Sequence, residues 1–452
     1  FRSRQVVRRL SQENPIYPLE YLKSKRFDLF FAWIIIKPLT LFRLMALFIK
    51  KKPVVVNVHF PDNQLLELSL LAKTANVKVV DRITQKLKRI NPAFFVGKGK
   101  AGQIIDQASL LDVNVIIFDE ELSPAQIKNF QKLSNNIKVI DRSALILDIF
   151  KKHAQTREAK TQVELAYCQY LLPRLTRQWT HLERQMGGVG TRAGMGETQI
   201  EIDRRLIRTK ISKLNKDLKK IDTERAIQSQ KRKAEFRVAL VGYTNAGKST
   251  LFNALTGNNA YVKDQLFATL DTTVRKFKLN NIYNVLLSDT VGFIRKLPHN
   301  LVASFRSTLK ELLDADLILI VLDGSSNIID EHLETIKRVL SDLGAEKIPH
   351  SLIINKIDRV KNKNDIIGLK NIFPDAIFIS ALKHLKLGDI KKHIISKIEE
   401  NFEIFDLNIP YHKGKIISML QNQVEILDTD YRDEEIYLKV KGSKDKVKKI
   451  LN

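Results

Sequence analysis

An apolar run, Phe236 to Val241, ends at a glycine and opens on Gly242-Tyr243-Thr244-Asn245-Ala246-Gly247-Lys248-Ser249; Thr250 to Thr256 then suits the start of a helix. The pattern is G-x-x-x-x-G-K-S between a strand and a helix, and few chain paths satisfy it. The glycines let backbone N–H groups curl round phosphate oxygens, and the following helix aims its positive end at them. Lys248 is placed to reach β- and γ-phosphates, and the Ser249 hydroxyl to ligate magnesium. The alternative is a glycine-containing turn that binds nothing. The strand–turn–helix setting favours the phosphate loop, and with it an α/β fold.

The base is read further along the chain. Asn355-Lys356-Ile357-Asp358 closes the apolar run Ser351 to Ile354. A carboxylate at Asp358 can accept from the ring N–H and exocyclic amine of guanine, an arrangement adenine does not offer. Alone, the tetrapeptide could be a solvated turn. Its order along the chain argues otherwise. Asp289-Thr290-Val291-Gly292 precedes it, Ser380-Ala381 follows it, and each falls at the end of an apolar run. Ligands of open α/β sheets bind at the carboxyl ends of strands, so these motifs can converge.

This order resembles the GTPase class of phosphate-loop proteins. The resemblance gives Asp289 a magnesium ion through water, and the Gly292 amide a place at the γ-phosphate. Thr269, within Phe267-Ala268-Thr269-Leu270, is the candidate switch threonine that closes over magnesium; an ordinary loop threonine is the alternative. The nucleotide set is then Gly242 through Thr250, Asp289 through Gly292, Asn355, Lys356, Asp358, Ser380 and Ala381. Lys248, Thr269 and Gly292 form the catalytic set; Ser249, Thr269 and Asp289 form the Mg2+ set. One departure from the Ras-like pattern matters. Phe293 follows Gly292, where a water-orienting glutamine is the rule, and a phenyl ring cannot hydrogen-bond a nucleophilic water. Hydrolysis is expected to be slow until something else positions that water. In some GTPases with a hydrophobic residue there, an asparagine at the position of Asn245 helps bind potassium. K+ is therefore expected to stimulate hydrolysis more than Na+; an asparagine that only shapes the loop is the alternative.

Composition narrows the partner. A formal net charge of +26 implies a polyanion, with nucleic acid preferred to an acidic membrane, although a general lysine bias contributes. The single cysteine, Cys168, rules out an intramolecular disulfide framework and fits a reducing, cytoplasmic setting; it reads as core rather than nucleophile. Residues 1–52 stay unassigned. Phe27 to Ile49 is apolar but broken by Lys37-Pro38 and Arg43, so it falls short of a spanning helix while leaving peripheral membrane contact open. The arginine-rich first dozen residues would also suit a transit peptide. The favoured reading is a poorly ordered or misassigned extension; a start at Phe1 also leaves room for an N-terminus further upstream.

From residue 53 to 156, strand-like runs (Pro53 to His59, Val77 to Val80, Val113 to Phe118, Ile137 to Ile140) alternate with helical spacing (Leu65 to Ala75), which predicts a small α/β domain. Residues 157–235 read as two long helices, Arg157 to about Gln185 and Glu197 to Ala234, joined by a glycine-rich tip. Leu206, Ile207, Ile211, Leu214, Leu218 and Ile221 are expected to form one apolar seam on the second helix, with lysines such as Lys216 and Lys219 facing out. The tip is longer than a structural turn needs. Residues 236–405 make the nucleotide domain, and 406–452 a small α+β appendage packed on it.

The tip carries a specific likeness. Gly187-Gly188-Val189-Gly190-Thr191-Arg192, then Gly196-Glu197-Thr198-Gln199 and Glu201-Ile202-Asp203-Arg204-Arg205, resembles the signature of the HflX family of translational GTPases. Leu122-Ser123-Pro124-Ala125-Gln126, Ile140-Asp141-Arg142, Gln162-Val163-Glu164-Leu165, Pro173-Arg174-Leu175 and the stretch from Asp289 through Leu309 look like the same family. The tip departs from the family's usual R-G-P-G-E: Arg192-Ala193-Gly194-Met195-Gly196-Glu197 is one residue longer and lacks proline. The resemblance implies a P-loop GTPase domain preceded by a small α/β domain and a helical hairpin. It implies GTP and GDP as ligands, and binding to the large ribosomal subunit and its rRNA, with Gly190, Thr191 and Arg192 at the contact. It implies splitting of stalled or idle ribosomes under stress. A monomer is expected. A GTPase acting on another RNA or an assembly intermediate, and a nucleotide-gated RNA-binding scaffold with negligible turnover, are the alternatives.

Overall fold

The computed structural model describes residues 53–57, 63–134 (save 86 and 88), 136–175, 199–230, 235–257, 266–296 (save 268, 281 and 282), 310–400, 402–432, 434–442 and 444–451. The tip residues Gly190, Thr191 and Arg192, and the apolar stretch 27–49, lie outside them. Among the described residues no helix is long and apolar enough to cross a membrane.

The first unit runs β1 (Pro53–Asn57), α1 (Asn63–Thr74), β2 (Asp81–Thr84), α2 (Lys98–Leu110), β3 (Val115–Phe118), α3 (Pro124–Leu133), β4 (Lys138–Asp141) and α4 (Arg142–His153). Its sheet is parallel, in the order β2-β1-β3-β4. All four residues of β3 are buried, as both faces of a parallel sheet require. Ile104, Ile116, Phe118 and Phe130 fill one face. Leu68, Leu71, Ile117, Ile146 and Phe150 fill the other. Helix starts follow local chemistry: Ser123 and Gln126 form a reciprocal capping box at α3, and Asp141 Oδ1 accepts from Ala144 N at 2.8 Å to cap α4.

One expected strand is displaced. Val77 to Val80 is irregular, and β2 begins at Asp81. Asn76 turns left-handed at φ 63°, and Val77 N donates back to the Ala72 carbonyl at 2.9 Å, so this stretch carries the chain from the end of α1 to the sheet edge. The buried Val77 side chain supplies an apolar signal without joining a ladder.

The hairpin also differs from its expected form. Its first helix, α5 (Arg157–Leu171), gives way to a 3-10 turn, Leu172–Arg174, at Pro173, which has no N–H to donate; the rest of the expected helix, to about residue 185, lies outside the described residues. The second, α6 (Gln199–Gln230), is 32 residues long. The seam joins Leu165 and Cys168 to Ile207, Ile211, Leu214 and Leu218. Leu206 is 60% exposed and outside the seam, because one residue before Ile207 is a turn of about 100° away on a helix. Lys216 and Lys219 are exposed.

The second sheet has the order β10-β9-β8-β5-β7-β6. It comprises β5 (Phe236–Gly242), β6 (Thr273–Lys278), β7 (Asn284–Asp289), β8 (Leu317–Asp323), β9 (His350–Asn355) and β10 (Ile377–Phe378), with only β6 antiparallel. Around it lie α7 (Lys248–Thr256), α8 (Lys310–Leu313), α9 (Ile329–Leu343), α10 (Lys363–Ile372) and α11 (Leu387–Glu399). One apolar core runs on from the first unit, joining Leu68, Phe150 and Val163 to Val241, Phe267, Phe293 and Leu333. The Phe150 and Phe267 rings meet edge-on at 4.6 Å.

The last unit is β11 (Glu403–Pro410), α12 (Gly414–Gln423), β12 (Glu425–Tyr431), β13 (Glu435–Gly442) and α13 (Lys444–Leu451), an antiparallel β11-β13-β12 sheet. It keeps its own core of Leu420, Leu438, Val440 and Val447. Lys441 reaches Glu399 on α11 at 2.6 Å.

Candidate functional site

Four neighbouring parallel strands end together. Register pairs Leu240 with Asp289, Gly242 with Val321, and Asp323 with Asn355, so the carboxyl ends of β7, β5, β8 and β9 form one edge. The loop from Gly242 to Ser249 rises from that edge into α7. Its glycines answer to space. A Cβ at Gly242 would stand 2.3 Å from the Val321 carbonyl oxygen. One at Gly247, where φ is +91°, would stand 2.3 Å from Asn355 Nδ2. Asn245 also adopts a left-handed φ of 62° and leaves its side chain exposed.

Lys248 is buried and folds back over the loop, its Nζ donating to the carbonyls of Gly242 at 3.1 Å and Tyr243 at 3.0 Å. Burial lowers its pKa to about 8, against the attraction of Asp289 and with some help from Lys356. Burial raises the pKa of Asp289, while Lys248 and the hydroxyls of Ser249 and Thr269 oppose the rise. The Ser249 and Thr269 hydroxyls lie 2.7 Å apart. Three oxygen donors from α7, the loop before β6 and the end of β7 thus converge. Asp289 is 2% exposed, and its Oδ1 is a buried oxygen with no hydrogen-bond partner. An all-oxygen set with an orphaned carboxylate oxygen fits a hard cation such as Mg2+. Ser249, Thr269 and Asp289 would hold it, and when bound it would neutralise charge on phosphate oxygens.

The rest of the 289–292 motif divides. Thr290 spends its hydroxyl on the Leu240 carbonyl at 2.7 Å and Val291 is buried, so their side chains hold the strand edge rather than a ligand. Gly292 lies against the loop: a Cβ there would be 3.0 Å from Lys248 Nζ and 2.9 Å from Thr244 Cα. Phe293 is 2% exposed with its ring in the core, while its backbone donates to the Gly242 carbonyl at 3.0 Å and accepts from Thr244 N at 2.7 Å.

On the other side, Asn355 ties two loops together. Its Nδ2 donates to the Ala246 carbonyl and its Oδ1 accepts from Ala381 N, each at 2.9 Å. Lys356 Nζ donates to the Asn245 carbonyl at 2.6 Å and pairs with Asp323 at 2.7 Å. Ser380 Oγ donates to Asp358 Oδ1 at 2.5 Å and fixes that carboxylate. Thr250 lies half-buried in the first turn of α7.

Sequence reasoning missed a second layer. The Tyr243 hydroxyl donates to Glu67 of α1 at 2.5 Å and accepts from Arg295 N at 2.9 Å, and its ring stacks on His332 at 3.9 Å. Arg142, only 2% exposed, pairs with Asp119 at 2.5 Å and with Glu67, and donates to the Arg295 carbonyl at 3.0 Å. Burial alone would lower its pKa; Glu67 and Asp119 more than offset this, and the guanidinium stays charged. Lys296 pairs with Asp119 and Glu120. The segment around Thr269 is also held from outside its own sheet. Leu266 N donates to Thr74 Oγ1 at 3.3 Å, His153 Nδ1 donates to the Phe267 carbonyl at 2.8 Å, and Asp271 accepts from Gln155 N at 3.0 Å, Thr156 N at 3.4 Å and the Thr156 hydroxyl. These partners are far apart in sequence, so no local spacing records their pairing.

The sequence is similar to known proteins over most of its length. Residues 62–151 match the family model for the GTP-binding GTPase N-terminal region, 153–232 that for the GTP-binding GTPase middle region, and 237–356 that for a 50S ribosome-binding GTPase. The chain is 47% identical over 339 residues to GTPase HflX of Flavobacterium psychrophilum, covering 75% of this chain and 80% of that one. It is 39% identical over 392 residues to GTPase HflX of Escherichia coli, covering 85% and 91%. Among solved structures, the SsGBP–GDP complex is 29% identical, covers 76% of this chain and 98% of its own, and has a TM-score of 0.44.

Proposed function

We propose, from the premise that this chain belongs to the HflX family of GTPases, that it couples GTP binding and hydrolysis to docking on the large ribosomal subunit, and that it helps split stalled or idle ribosomes under stress. Asp358 would select guanine, the loop from Gly242 to Ser249 would hold the phosphates, and Gly292 would read the γ-phosphate. The observation that carries the ribosomal part is a long basic helix, α6, whose Lys216 and Lys219 are exposed beside a GTPase unit, in a chain of net charge +26. Such a face suits rRNA phosphates, and the tip at 187–196 would add base contacts. The Phe293 ring is packed in the core, which supports a slow intrinsic turnover that a docked partner raises. A potassium ion beside Asn245 is part of the same reading.

Sedimentation of the full chain with ribosomes and separated subunits tests it. With a GTP analogue the protein should travel with the large subunit and shift intact ribosomes toward subunits; with GDP it should do neither. Co-sedimentation with no ribosomal particle in either state would sink the proposal and favour another RNA.

A further inference from the structure

The segment that carries Thr269 is fastened at both ends to residues that do not belong to the nucleotide-binding sheet. Before Thr269, Phe267 is held left-handed at φ 55°, 2% exposed, with its ring on Phe150 and its carbonyl bonded by His153. After it, Asp271 sits at the N-terminus of α5. Oδ2 accepts from Gln155 N and Thr156 N, and Oδ1 from the Thr156 hydroxyl. Thr156 is itself the N-cap of α5, accepting from Ala159 N at 3.1 Å. The Asp271 carboxylate therefore satisfies backbone donors where the helix dipole is positive, and it completes the cap of the first hairpin helix. Thr269 lies between these two fastenings, its hydroxyl 2.7 Å from Ser249.

We propose that Asp271 is a positioning residue for Thr269. By capping α5 it ties the base of the basic hairpin to the threonine that closes over the metal, so that a force on the hairpin is felt as a change in metal and γ-phosphate affinity. The inference rests on Thr269 having that closing role. Its logic is reciprocal: if the hairpin sets Thr269, the nucleotide must set the first turn of α5.

The test uses the full-length protein and two readouts. Asp271→Ala should weaken binding of a non-hydrolysable GTP analogue about three- to ten-fold and raise the Mg2+ concentration needed for hydrolysis, because the bonds removed are charge-assisted but exposed. GDP affinity should change less than about two-fold, since Thr269 engages only the triphosphate state. Asp271→Glu should restore part of the effect. Amide exchange at residues 157–160 should slow on addition of GTP analogue and Mg2+ in the native chain, and fail to slow in Asp271→Ala. Thr269→Ala separates the two layers. If it alters GTP-analogue affinity and Mg2+ dependence while Asp271→Ala leaves them and the nucleotide-dependent exchange unchanged, the inference falls and the role of Thr269 stands. If Thr269→Ala is silent, both fall.

Discussion

Lys248 illustrates how a single buried charge is prepared for an anion. Its pKa of about 8 reflects desolvation, which phosphate oxygens would relieve by favouring the ammonium form. The bound-state pKa then exceeds the free value. Affinity is at full strength below about pH 8 and declines above it, by up to about ten-fold per unit, until the bound-state pKa is passed. GDP dissociation constants measured from pH 7 to 9 should show this rise, and Lys248→Arg, which cannot deprotonate, should flatten it. A flat profile for the native chain would reject the role given to Lys248. At this scale the sequence spoke unevenly. Gly247 and Lys248 announced themselves because a phosphate loop is a local pattern. Arg142, Glu67 and the Tyr243 hydroxyl did not, because they meet across 75 and 176 residues of chain and no periodicity records such pairings.

At the scale of elements, α6 was legible because its apolar residues repeat at three and four, and the α/β class because strands and helices alternate. Two elements were misread for physical reasons. Val77 to Val80 looked like a strand because Val77 is buried, yet its N–H is spent on the end of α1. The first hairpin helix reads as unbroken through residue 173 because one proline in a helical pattern is easily discounted, yet α5 gives way to a 3-10 turn at Pro173. The exposed face of α6 yields a prediction. Replacing Lys216 and Lys219 with alanine keeps helix propensity and removes two charges. If each meets a phosphate, large-subunit affinity should fall and its log–log salt slope should become shallower by about 0.7–0.9 for each phosphate no longer neutralised. Binding measured across a salt series with an unchanged slope would place the rRNA-facing surface elsewhere.

For the whole molecule, the shared core decides cooperativity. Leu68, Phe150, Phe267 and Phe293 belong to one apolar cluster, whereas Leu420, Leu438 and Val440 belong to another. Heating should therefore melt residues 53–400 in a transition that GDP raises, with the C-terminal sheet melting separately and indifferent to nucleotide. Phe150→Ala should cost about 3–5 kcal/mol and lower the first transition alone. Calorimetry showing independent melting of the first sheet and the nucleotide sheet would contradict this. The same cluster governs how the chain is made. The first unit leaves the ribosome well ahead of the residues that cover it: 267 − 150 = 117 positions separate Phe150 from the ring it packs against. At roughly 5–20 residues per second, the face around Phe150 waits on the order of 6–23 s for its cover, long enough for a nascent-chain chaperone to claim it.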